Sequence, residues 1–172
     1  LEGRSTARLS EVHLTQDHQG AGVILAARLE VERWADRPLS AVMRVRGPGG
    51  LEKLIQLEDR ISLAGGEGRL QTSIADPQLW WPNGYGEQPL YQVEIELLSD
   101  GEVCDRRAYQ VGLRTIELRQ AEDQWGESFV FVVNGVPIFA KGSNWIPADS
   151  FPTRISDQQL EELIRSAAMA HQ

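Results

Sequence analysis

The chain of 172 residues is poor in the residues on which several kinds of chemistry depend. It has a single cysteine, Cys104, so it can form no internal disulfide, and the alternation of Val103, Asp105, Arg107 and Tyr109 around that cysteine places it on a strand as an ordinary small side chain. The three histidines, His13, His18 and His171, are scattered along the chain, and none has a neighbour at metal-ligand spacing. Neither a metal site nor a cofactor is expected. No stretch approaches the roughly 20 apolar residues that cross a bilayer, and no signal-peptide pattern opens the chain. Because the first residue is Leu rather than Met, the sequence reads as an excised segment. Basic charge is also short: 17 Lys and Arg against 25 Asp and Glu give a net charge of -8, which argues against a nucleic-acid-binding face. There is no Gly-x-Ser-x-Gly elbow for a serine nucleophile, and the glycine clusters lack the Lys-Ser or Lys-Thr that would make them phosphate cradles.

What is present is a succession of short alternating segments. Val23, Leu25, Ala27, Leu29 and Val31 form an apolar face opposite Ile24, Ala26, Arg28 and Glu30, the pattern of a half-buried strand. Leu39, Ala41, Met43 and Val45 repeat it before the reversal at Gly47-Pro48-Gly49-Gly50. Leu51 to Leu57 and Arg60 to Leu63 are weaker strands, and Gly65-Gly66-Glu67-Gly68 turns into Leu70, Thr72 and Ile74. Tyr91, Val93, Ile95 and Leu97 face inward, and after Ser99-Asp100-Gly101-Glu102 a partner runs from Val103 to Leu113. About seven strands with frequent turns predict a mainly β protein whose first domain, residues 1–115, is an immunoglobulin-like β-sandwich.

The texture changes after Arg114. Phe129 to Val133 and Val136 to Ala140 flank Asn134-Gly135, a hairpin turn in which both residues tolerate positive φ. Ser156-Asp-Gln-Gln is a capping box, and Leu160, Leu163, Ile164, Ala167 and Ala168 then recur at helical spacing. A hairpin, a loop and a helix predict that residues 116–172 are the N-terminal start of a (β/α)8 barrel, its first strand and helix only. Leu160, Leu163 and Ile164 would then either fold back on the sandwich or bury against a second copy of the chain, a homodimer through the exposed barrel segment.

Two clusters could carry chemistry. Trp80, Trp81 and Tyr85 could stack on sugar rings or could clamp the sandwich, and adjacent side chains on an extended segment point opposite ways, which counts against one platform. Asn144, Trp145 and Asp149 lie where a barrel strand would deliver side chains to substrate; a Trp floor with an Asn or Asp for hydroxyls suits a sugar. The competing reading is that Asp149 bonds its own loop and Trp145 packs under the barrel. Glu161 and Glu162 lie in the first turns of the helix, facing solvent and favouring the helix dipole, rather than forming a catalytic pair.

Two blocks carry a family resemblance. Leu79-Trp80-Trp81-Pro82-Asn83-Gly84-Tyr85-Gly86-Glu87-Gln88-Pro89-Leu90-Tyr91, with Val111-Gly112-Leu113-Arg114, resembles the end of the immunoglobulin-like domain of the β-mannosidases of glycoside hydrolase family two. Asn134-Gly135 through Phe139-Ala140-Lys141-Gly142-Ser143-Asn144-Trp145-Ile146-Pro147-Ala148-Asp149-Ser150-Phe151 resembles the start of their catalytic barrel. Exo-β-glucosaminidases share part of the pattern. The resemblance implies a parent that removes terminal mannose from β-mannoside oligosaccharides with retention, using two glutamates about 5 Å apart. It also implies that this chain is only the middle of such an enzyme, lacking the N-terminal jelly-roll domain and most of the barrel. The acid/base glutamate of that family follows an asparagine, whereas Asn83, Asn134 and Asn144 are followed by Gly, Gly and Trp. No catalytic residue is therefore expected here, and the segment itself would be a scaffold. An independent carbohydrate-binding or interaction module, with Trp80, Trp81 and Tyr85 on a glycan, is the alternative, as is a fragment of an exo-β-glucosaminidase.

Overall fold

The computed structural model describes residues 6–48, 59–63, 66–142 and 144–170. It divides into two compact units, residues 1–116 and 117–172. The first unit holds seven strands: β1 (Ala7–Gln19), β2 (Gly22–Arg33), β3 (Leu39–Arg46), β4 (Asp59–Ser62), β5 (Glu67–Ala75), β6 (Tyr91–Ser99) and β7 (Glu102–Val111). They form a three-stranded sheet, β1-β2-β5, and a four-stranded sheet, β4-β3-β6-β7, with every pair antiparallel. Two such sheets, with the first, second and fifth strands in one and the third, sixth and seventh in the other, make the expected immunoglobulin-like sandwich. The candidate strand Leu51 to Leu57 and the second half of the Gly47-Pro48-Gly49-Gly50 reversal lie outside the described residues.

The sandwich forms because the period-two apolar sets of both sheets meet. Leu25, Ala27 and Leu29 of β2, Leu70 and Ile74 of β5, Ala41, Met43 and Val45 of β3, and Val93, Ile95 and Leu97 of β6 share one core and are essentially inaccessible to water. Each fully buried Leu, Ile or Met contributes about 1.5–3 kcal/mol from removal of its surface from water. The β6–β7 hairpin closes on Asp100 (φ 52°) and Gly101 (φ 86°), both left-handed, as a two-residue turn matching the strand twist requires. Tyr91, at the start of β6, accepts a 2.9 Å hydrogen bond on its hydroxyl from the Gln78 amide, in the manner of a tyrosine corner.

Both edge strands β1 and β7 carry irregular register, and a buried carboxylate joins them. The pairing of β1 with β2 shifts between Leu9 and Glu11, and that of β6 with β7 between Leu97 and Leu98. Asp105, on the shifted part of β7, accepts from the Leu9 amide at 2.9 Å, while Arg107 donates to the Leu9 carbonyl at 3.2 Å. Asp105 also accepts from the Arg106 amide, so the carboxylate is buried with its lone pairs engaged.

The second unit contains β8 (Ile116–Asp123), which begins at the last residue of the first unit, together with β9 (Gly126–Val133), β10 (Val136–Ile138) and helix α1 (Asp157–Met169). These strands form an antiparallel sheet of order β10-β9-β8. The Asn134-Gly135 turn is as expected, with φ of 50° and 79° between the paired Val133 and Val136. Strand β8 was not legible, and β10 is shorter than the predicted Val136 to Ala140. Pro137 has no N–H to offer a ladder, and β10 is an edge strand. The strand before the Asn144 loop is thus the second arm of an antiparallel hairpin, and no parallel pair of strands occurs among the described residues. Helix α1 begins at Ser156, whose hydroxyl accepts from the Gln159 amide while the Gln159 side chain accepts from the Ser156 amide: the predicted capping box. None of its residues is buried, and no described helix is long and apolar enough to cross a membrane.

Candidate functional site

Trp80 and Trp81 follow the last strand of the three-stranded sheet on an extended segment, so their side chains leave the backbone in opposite directions. Each meets a glycine. A Cβ placed on Gly112 would lie 2.8 Å from the Trp80 ring, and one on Gly86 would lie 2.9 Å from the Trp81 ring. Both rings therefore rest directly on backbone. The Trp80 amide donates to the Leu113 carbonyl at 2.9 Å, and the Arg114 guanidinium lies 4.5 Å from the centre of the Trp80 ring, a cation–π stack. The Trp81 amide donates to Glu87, and the Tyr85 amide closes back on Pro82, so residues 81–87 form a tight loop. The two halves of the motif, Trp80-Trp81-Pro82 and Val111-Gly112-Leu113-Arg114, are bound to each other. Both tryptophans are half-buried, and only Tyr85, 41% exposed, presents an aromatic face to solvent.

The other cluster lies in the second unit, after β10. Residues 144–149 belong to no strand or helix, and Asn144, Trp145 and Asp149 are not buried. Trp145 is 56% exposed. Asp149 accepts from the Phe151 amide at 2.7 Å, so this carboxylate holds its own loop, as the second of the two sequence readings has it. It also lines a hollow of about 410 Å³ with Arg154, Gln159, Glu162 and Leu163. Asn144 and Trp145 do not line that hollow. Arg154 stacks on Phe151 at 4.4 Å. Glu161 is paired with Arg165 at 2.5 Å and Glu162 accepts from Gln158 at 2.9 Å, both on the helix surface. Among the described residues no three His, Cys, Asp or Glu side chains are grouped so as to hold a metal ion.

One perturbed carboxylate, Glu96, is a residue that sequence reasoning missed. Glu96 points away from the core of the four-stranded sheet yet is 4% exposed, because Arg44 and Arg106 close over it. Arg44 donates to Glu96 at 2.5 Å and Arg106 donates to its other oxygen, while Glu94 lies within reach of both arginines. The hydrogen bond from Arg44, aided by that from Arg106, holds the Glu96 carboxyl below its ordinary value against the opposing effect of burial. The alternation Arg44, Glu94, Glu96, Arg106 was visible as outward-facing charge, but the pairing needed the register of three strands. This cluster is an ion network on the outer face of the four-stranded sheet.

The sequence profile of Glycosyl hydrolases family 2 matches residues 7–114. Beta-mannosidase B of Emericella nidulans is 34% identical over 164 residues, which is 95% of this chain and 19% of that protein. The crystal structure of the β-D-mannosidase of Dictyoglomus thermophilum is 37% identical and superposes with a TM-score of 0.79 over 96% of this chain and 20% of its own. The exo-chitosanase CsxA of Amycolatopsis orientalis shares the fold, with a TM-score of 0.62 over 84% of this chain and 17% of its own, at 19% identity. The chain spans about a fifth of the length of these relatives.

Proposed function

Since the chain belongs to glycosyl hydrolase family 2, we propose that its parent is a retaining exo-β-mannosidase acting on terminal β-D-mannose, and that this segment is scaffold rather than catalyst. The observation that carries the mannosidase reading is 37% identity to a β-mannosidase across 96% of the chain, against 19% to the exo-chitosanase. That difference favours mannose over glucosamine as the sugar of the parent. Residues 1–115 form the bracing sandwich, and residues 116–172 are the opening of the catalytic barrel, whose remainder and preceding domain cover the apolar side chains exposed here. Asn144, Trp145 and Asp149 help to line the mannose pocket of the intact enzyme, with Asp149 held in place by its bond to the Phe151 amide.

The scaffold reading has its support in Trp80 and Trp81, each with its ring resting on a glycine of its own domain. An independent glycan-binding module would need those rings free. No Asn-Glu pair occurs in the sequence, so the proton donor that the mechanism requires lies elsewhere in the parent. The 172-residue chain, rigorously purified, is expected to hydrolyse an aryl β-mannoside no faster than the buffer blank. Turnover above blank would overturn the scaffold assignment. Titration calorimetry with mannobiose should give no heat, whereas heat abolished by Trp81→Ala would establish the binding module instead.

A further inference from the structure

Gln16 lies on β1, far in sequence from the end of the sandwich, yet its carboxamide is spent on the backbone that leaves it. The Gln16 Nε2 donates to the Gly112 carbonyl at 3.1 Å, and its Oε1 accepts from the Arg114 amide at 2.9 Å. A carbonyl can only accept and a backbone amide can only donate, so these two partners fix the orientation of the carboxamide. His18 Nε2 lies 3.2 Å from the same Oε1 and, facing an acceptor, supplies a third contact as donor. A side-chain amide with one donor and one acceptor engaged on alternate backbone groups imitates one rung of a β-ladder.

The opposite side of the same three residues is held by Trp80. Its amide donates to Leu113, its ring lies on Gly112 with no room for a Cβ, and Arg114 stacks on that ring. Leu113 itself is fully buried. Strand β7 has ended at Val111, so no sheet ladder accounts for this order. Residues 112–114 are gripped from both sides by groups that sequence places about a hundred and about thirty positions upstream.

We propose that Gln16 and Trp80 form a clamp on residues 112–114 that fixes the direction in which the chain leaves the sandwich, with Gln16 as the positioning residue. The clamp lies wholly within residues 16–114 and is independent of which glycoside the parent cleaves, so it stands or falls apart from the mannosidase reading. Its use is to hold residues 112–114 in one conformation after strand β7 and its ladder have ended.

Gln16→Met keeps the length and apolar stem of the side chain and removes both hydrogen bonds. In the unaltered 172-residue chain, NMR order parameters at Leu113 and Arg114 should match those of the strands, about 0.85, and in the variant they should fall toward 0.6 or below. Exchange of the Arg114 amide should accelerate at least about tenfold while the amides of Leu25 and Ile95 keep their protection, a contrast that general destabilisation would not produce. Gln16→Glu, which keeps an acceptor for Arg114 but sets an oxygen against the Gly112 carbonyl, gives the same reading should the Met variant misfold. Order parameters and Arg114 exchange equal to those of the unaltered chain, in either folded variant, overturn the clamp.

Discussion

Single residues in this chain decide more by what they touch than by what they could catalyse. Gly112 is the clearest case, since a Cβ there would lie 2.8 Å from the Trp80 ring, a rigid neighbour itself hydrogen-bonded through its backbone to Leu113. Gly112→Ala is expected to cost about 1–3 kcal/mol, as overpacking does, and calorimetry should show a lowered Tm with the far-ultraviolet spectrum retained. An unchanged Tm would mean that the ring is free to move. Glu96 makes a second test, through pH. Its folded pKa is depressed, so the stability it contributes is fully present above the ordinary glutamate value of 4.5 and is lost as pH falls through the lower folded value. Glu96→Gln should therefore be about 1–3 kcal/mol less stable than the unaltered chain at pH 7, with the gap closing below that ordinary value. Urea unfolding at pH 7 and pH 3 measures both ends, and a gap that widened in acid would contradict the assignment.

Elements show where reading the sequence succeeded and where it could not. The Asn134-Gly135 turn, the Ser156 capping box and the inward set Tyr91, Val93, Ile95 and Leu97 were legible because each is fixed by neighbours within a few residues. Strand β8 was not, since its two large apolar residues, Ile116 and Leu118, both remain exposed. The destinations of Trp80 and Trp81 depend on glycines 32 and 5 positions downstream, and no local pattern encodes that. Of the candidate sugar residues, sequence foresaw the Asp149 loop bond as one alternative but could not place Asn144 and Trp145 outside the hollow that Asp149 lines. Register also reveals a cost that single strands conceal. Glu11 pairs with Glu30 and Glu30 with Glu67, a row of three carboxylates across the three-stranded sheet, relieved by Arg28 on Glu30. Like charges directly opposite destabilise a sheet, so Glu67→Gln should raise stability by a few tenths of a kcal/mol at low salt. The gain should shrink as added salt screens the row, and a urea series at two ionic strengths reads it.

At the scale of the whole chain the two units differ in how they are held. The sandwich has a continuous core drawn from both sheets, sealed at its edge by Asp105 on Leu9. In residues 117–172 the buried apolar residues among those described are Val132 and Val133 alone, while Trp125 is 87% exposed and Phe139 75%. Local opening is cheapest where few apolar groups are buried, and protease attack on native protein follows the population of such open states. Chymotrypsin should therefore cut first within residues 117–172, where Phe139, Trp145 and Phe151 are exposed and lie in no strand, helix or hairpin turn. A resistant product containing residues 6–116 should accumulate, with Trp80, Trp81 and Tyr91 uncut because their backbone amides or side chains are engaged in the sandwich. Mass spectrometry of a time course distinguishes this order from its opposite. If the exposed face instead pairs with a second copy, light scattering will show a dimer and the three sites will become protected as concentration rises. A monomer cut equally fast in the sandwich and beyond residue 117 would mean that the sandwich core does not set the stability of the chain.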